Sequence, residues 1–248
     1  ITFDTKDKIF SKEYDLKGAM VCSGFMDMRA FMGEPGLEHK EDFESFQNAA
    51  KRGGFTSVAI LPNTEPVLEN KNSLQSVIKQ SENETVNLFP IAALSKGTKG
   101  EELSEMIDLH KHGAVAFSDG HNPVYQSDLI MKGLQYGKSI DAVIINTAID
   151  YNMSKKGYVN EGVTSTSLGM PGIPHIAEEV AIERDLKLLE YAGGKLHFSM
   201  ITTDKGVDLI RKAKKKGLNV TCDVAAHYLA FDDSCLNDFD SNYKVFPP

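Results

Sequence analysis

The sequence predicts an α/β fold built on one parallel sheet, and the best match is a (β/α)8 barrel, incomplete here because an eighth strand is missing. Three observations carry this expectation. Short runs rich in β-branched and other apolar residues alternate along the chain with amphipathic helical stretches. Nearly all the runs are apolar at consecutive positions, the pattern of strands covered on both faces. No run is followed by a GxGxxG or GxxxxGK loop, so the common nucleotide-binding open sheets lose weight against the barrel. A chain of 248 residues can bury one large core, and barrels of this length are commonly one domain.

The elements follow in order. The apolar run Ala19-Met20-Val21-Cys22 predicts a first buried strand that opens into a loop over Gly24 to Gly36. From Glu41 to Gly54, Phe43, Phe46, Ala49 and Ala50 recur at helical spacing, and Gly53-Gly54 stops the helix. Thr56 to Leu61 is a second strand halted by Pro62, Lys71 to Lys79 a helix, and Val86 to Leu94 a third strand. A helix over Glu101 to His112, closed by Gly113, leads to strand four at Ala114 to Phe117. Ser127 to Gly137 is helical and Ala142 to Ile145 is strand five. A polar loop over Asp150 to Pro174 precedes a helix from about Ile176 to Tyr191. Strand six (Leu196 to Ile201), a helix (Val207 to Lys216) and strand seven (Asn219 to Ala225) complete the pattern. Seven strands leave a barrel unclosed, with a raw edge, so the natural protein is expected to continue beyond Pro248. With Ile1 in place of an initiator Met, it is also expected to be incomplete at its start.

Bulk chemistry narrows the function classes. A net charge of −8 and a pI near 5.4 argue against a nucleic-acid partner. The basic run Arg211-Lys212-Ala213-Lys214-Lys215-Lys216 sits where a helix ends, where cations offset the macrodipole and face water. Cys22, Cys222 and Cys235 form no CxxC pair, and the apolar surroundings of Cys22 and Cys222 predict buried free thiols in a reducing cytoplasm. No apolar segment is long enough to span a bilayer, so no membrane role is expected.

Six motifs then occur in one order. They are Glu34-Pro35-Gly36 with Glu38-His39-Lys40-Glu41-Asp42, Ala49 to Thr56, Leu61-Pro62-Asn63-Thr64-Glu65-Pro66-Val67, Gly169 to Pro174, Asp223 to Leu229, and Tyr243 to Pro248. Together they resemble the long-chain dihydroorotases of the amidohydrolase superfamily, over about Gly24 to Pro248. The resemblance implies a (β/α)8 barrel with its site at the C-terminal strand ends. It also implies that residues 1–18 are the remnant of a small N-terminal β domain and 19–248 the truncated barrel. The family's zinc would polarise a cyclic amide and supply hydroxide near neutral pH, opening or closing the ring between dihydroorotate and carbamoyl-aspartate in pyrimidine biosynthesis.

By that resemblance, the metal-ligand positions here hold Arg29, Phe31, Asp119, Asn146 and Met200. Only Asp119 retains a donor suited to zinc, because a guanidinium is cationic and a phenyl ring has no lone pair. The substrate side is thinned too: the family Arg before Glu-Pro-Gly is Gly33, the Asn before Pro-Pro is Phe246, and Asn63 alone matches a substrate-binding position. No bound metal or other cofactor and no catalytic residue are therefore expected. None of His39, His110, His112, His121, His175, His197 and His227 is expected to replace the lost ligands; His197 precedes the strand-six ligand position by three residues. Arg29 is expected beside Asp119, substituting a salt bridge for the metal, with Phe31 and Met200 filling volume.

Three functions stay open on this reading. One is a cytoplasmic dihydroorotase-like pseudoenzyme acting as a structural or regulatory partner, of aspartate transcarbamoylase or through self-association. The second is a cyclic-amide hydrolase with altered or metal-free chemistry. The third binds a small anion in the old pocket through Arg29 and Asn63.

Overall fold

The computed structural model describes residues 14–248. Seven strands form one parallel sheet in sequential order: β1 (Phe25–Ala30), β2 (Phe55–Ile60), β3 (Asn87–Ala92), β4 (Ala116–Phe117), β5 (Val143–Asn146), β8 (Lys195–Phe198) and β9 (Val220–Cys222). Two short strands, β6 (Val159–Asn160) and β7 (Gly172–Ile173), make a separate parallel ladder. Strands of the main sheet are joined by α1 (Phe43–Arg52), α2 (Lys71–Ser81), α3 (Met106–Lys111), α4 (Ser127–Ser139), α7 (Ile176–Ala192) and α8 (Asp204–Lys215). Two short helices, α5 (Tyr151–Ser154) and α6 (Val163–Leu168), flank the small ladder. The alternating sheet and helices are those of an incomplete (β/α)8 barrel, as the sequence pattern predicts.

Local chemistry sets the helix ends. Asp42 caps α1 by accepting from the Ser45 N–H while the Ser45 hydroxyl receives the Asp42 N–H, a reciprocal capping box. Asn70 caps α2 by accepting from the N–H groups of Asn72 and Ser73, and Thr203 caps α8. Gly54, at φ +78, turns the chain out of α1 into β2.

The period of two along each strand divides the core. Val58, Ile60, Leu88, Ile144 and Leu196 pack with helix residues such as Leu74, Leu109, Leu134 and Leu189. Their neighbours Ala59, Leu61, Ile91, Ala116 and Ile145 build a smaller cluster on the sheet's other face, capped by Phe31. That face, inside the curl of the sheet, leads to the strand ends.

Several expectations need correction. The first strand is not at 19–22: β1 begins at Phe25, and Met20 and Val21 are exposed. Among the described residues β1 pairs only with β2, so it lies at a sheet edge, where Phe25, Met26 and Met28 remain exposed. Cys22 and Cys222 are exposed rather than buried, the first outside any strand and the second at the other sheet edge, although all three cysteines are free. The helix expected from Glu101 starts only at Met106, because a bridge between Ser95 and Leu103 holds the preceding residues. The polar loop over 150–174 contains α5, α6 and the β6–β7 ladder. Strand seven ends at Cys222, and beyond it the described chain forms three short 3-10 turns. The expected N-terminal remnant lies mostly outside the described residues, and described residues 14–24 form no strand.

One carboxylate joins α7 to the following unit. Buried Glu178 accepts from the N–H and hydroxyl of Thr202 at 2.9 and 2.8 Å, and from those of Thr203 at 3.0 and 2.6 Å. These donors lie on the turn that starts α8, so the carboxylate fixes where that helix begins. Glu178→Ala is expected to lower stability by about 2–3 kcal/mol in urea unfolding. A change within about 0.5 kcal/mol would contradict this anchoring role.

Candidate functional site

Arg29 and Phe31 stand two residues apart, so both face the inside of the curled sheet. Phe31 caps the inner cluster, with the His121 ring at 5.3 Å and the Lys40 ammonium 5.7 Å from its centroid. The guanidinium of Arg29 donates to the Met200 sulfur at 2.8 Å and to the Gly120 carbonyl at 3.1 Å. Burial pulls its pKa below the ordinary value, against the opposing pull of Asp223, Tyr228 and Asp27. Met200 follows β8 with φ at +61, a left-handed conformation uncommon for a side-chain-bearing residue.

Asp119 is almost fully buried, and its carboxylate is engaged by Ser95 after β3. It accepts from the Ser95 N–H at 2.8 Å and from the Ser95 hydroxyl, which in turn accepts from the Gly100 N–H. Burial pushes the Asp119 carboxyl up, and the bonds from Ser95 only partly offset this. The expected Arg29–Asp119 salt bridge is thus not formed: Arg29 reaches the neighbouring carbonyl of Gly120 while Ser95 holds the acid.

Asn63 also has a different task from the one expected. Its amide donates to the Asp119 carbonyl at 3.1 Å, and its oxygen accepts from the His121 N–H at 3.0 Å. The side chain therefore splints the turn after β4. Gly120 is required there: at φ +61, a Cβ would lie 1.8 Å from the Asn63 oxygen. Gly33 is similarly enclosed, since a Cβ would meet the carbonyls of Leu37 and Glu41 at 2.5 Å. No arginine fits that backbone position.

Asn146 faces the helices, not the other candidate positions. It follows Ile145 in β5, so the pleat turns it to the Ile144 side. There it donates to Asp185 of α7 at 2.8 Å and exchanges bonds with both backbone groups of Val124. Arg184 pairs with Asp185 at 2.7 Å and donates to the carbonyls of Val124 and Tyr125. Burial raises the Asp185 carboxyl, opposed by Arg184 and Asn146.

The structure adds a cluster absent from the expected site. Asp223, just after β9, accepts from the Met200 N–H at 2.6 Å and the Ser199 hydroxyl at 3.1 Å, and bonds His197 Nε2 at 2.9 Å. His197 Nδ1 bonds Thr221, its cross-strand partner, at 2.8 Å. His197, set aside for its distance from the ligand position, thereby joins the strand-end network through Asp223. Burial pushes the Asp223 carboxyl up, but His197 and the Met200 N–H outweigh this and hold it below the usual carboxylate range. The available sequence signal was period two: His197 and Ser199 share one side of β8, but their acid is 24 to 26 residues away. Beside this cluster, a cavity of about 1200 Å³ opens between Asp223, Tyr228, Phe231, Tyr243 and the loop bearing Tyr158. Burial drives the Tyr228 phenol up to about 12, with Arg29 opposing, and its hydroxyl donates to the Pro247 carbonyl.

The donor set does not fit zinc. Zinc takes imidazole, thiolate or carboxylate, whereas these positions present a guanidinium, a phenyl ring, an outward amide and a thioether, with Asp119 committed to Ser95. Among the described residues, no group of three or more His, Cys, Asp or Glu side chains is placed to hold a metal ion.

Comparison with known proteins places this geometry in context. Residues 18–206 match the family model described as Dihydro-orotase-like. The chain is 43% identical over 235 residues to a dihydroorotase of Syntrophus aciditrophicus (strain SB) and 45% identical to one of Ruminiclostridium cellulolyticum, covering 94% of this chain and 55% of each relative. It therefore spans about half the length of these curated relatives. Among solved structures, the L-hydantoinase of Arthrobacter aurescens superposes with a TM-score of 0.84 at 22% identity, over 99% of this chain and 56% of that one. A dihydroorotase from Saccharomyces cerevisiae gives 0.62 at 16%, over 90% and 60%. These distant likenesses show the fold.

The depressed pKa of Asp223 sets a sign for pH dependence. Its ionised form is favoured by folding, so its contribution is present above the unfolded value near pH 4 and is lost as pH falls through the folded value. Asp223→Asn should flatten the acid limb of the stability curve and lower stability at pH 7. An acid limb unchanged in slope would contradict the assignment.

Proposed function

Since the chain belongs to the dihydroorotase-like family, we propose that it is a pseudoenzyme of pyrimidine biosynthesis, without ring-hydrolase activity. It serves in the cytoplasm as a structural or regulatory partner. The observation that carries the proposal is Arg29, a permanent cation whose guanidinium lies across the strand ends between Met200 and Gly120. A fixed positive charge there opposes a zinc dication, and Phe31 adds no donor beside it. The chain's own groups take over the bracing: Ser95 holds Asp119, Asn63 splints the turn after β4, and Asp185 holds Asn146.

The partner proposed is an aspartate transcarbamoylase, with self-association as the alternative. No helix of the described residues is long and apolar enough to cross a membrane.

Full-length protein supplied with zinc is expected to give no turnover of dihydroorotate or carbamoyl-aspartate above the uncatalysed rate. Zinc-dependent conversion in either direction, abolished by chelation, would overturn the proposal. Mixed with the aspartate transcarbamoylase of its source at micromolar concentration, it should elute as a complex in gel filtration. Separate elution of both proteins, with this one monomeric, would remove the partner role.

A further inference from the structure

We draw no further inference here: the strongest candidate, the outward face of α7 that exposes Ile176, Val180 and Tyr191 between α4 and α8, is an unpartnered helix face, and nothing in the structure shows what covers it.

Discussion

Four buried or half-buried carboxylates tie neighbouring parts of the strand-end layer together, and the geometry of the candidate site depends on them. Asp119 joins the turn after β4 to Ser95 after β3, and Asp223 joins the end of β9 to Met200 after β8. Glu178 links α7 to the start of α8, while Asp185 links α7 to β5 and, through Arg184, to Val124. Each acid accepts from main-chain N–H groups or from buried side chains, a strong arrangement where water is scarce. In a metal-dependent barrel, the ion would be the largest charge drawing strand ends together. Here the protein's own acceptors supply that cohesion pair by pair.

Arg29 is compatible with this scheme because the acids around it are engaged elsewhere. Its charge is balanced at longer range by Asp223 and Asp27, and its donors rest on a carbonyl and a sulfur. Burial alone would make such a cation costly. Partial solvent access and the longer-range acids temper that cost. Phe31 closes the inner cluster below it, so this position belongs to the packing of the barrel interior.

Much of the fold was legible in sequence because it depends on local chemistry. The apolar period and end signals of α1, α2, α4 and α7 place these helices within a few residues, and the continuous apolar runs locate β2, β3 and β5. The failures have physical causes. Ala19 to Cys22 has the composition of a buried strand, but nothing among the described residues covers Met20 or Val21, and the sheet begins at Phe25 instead. The positions matched to the family's motifs could be read by resemblance, but their orientations could not. Asn146 points towards α7 because of its place in the pleat, and the partner that holds it lies 39 residues away. Asp119 and Asp223 are likewise defined by partners 24 to 26 residues distant, which no local pattern announces.

Whether protein groups brace the strand ends in place of a metal is tested most directly by the metal content of the full-length protein, measured by elemental mass spectrometry after equilibration with excess zinc and desalting. Zinc well below stoichiometric amounts, together with a melting temperature unmoved by chelator, is the result predicted. Stoichiometric zinc whose removal lowers the melting temperature, and whose retention depends on Asp119, would contradict the account.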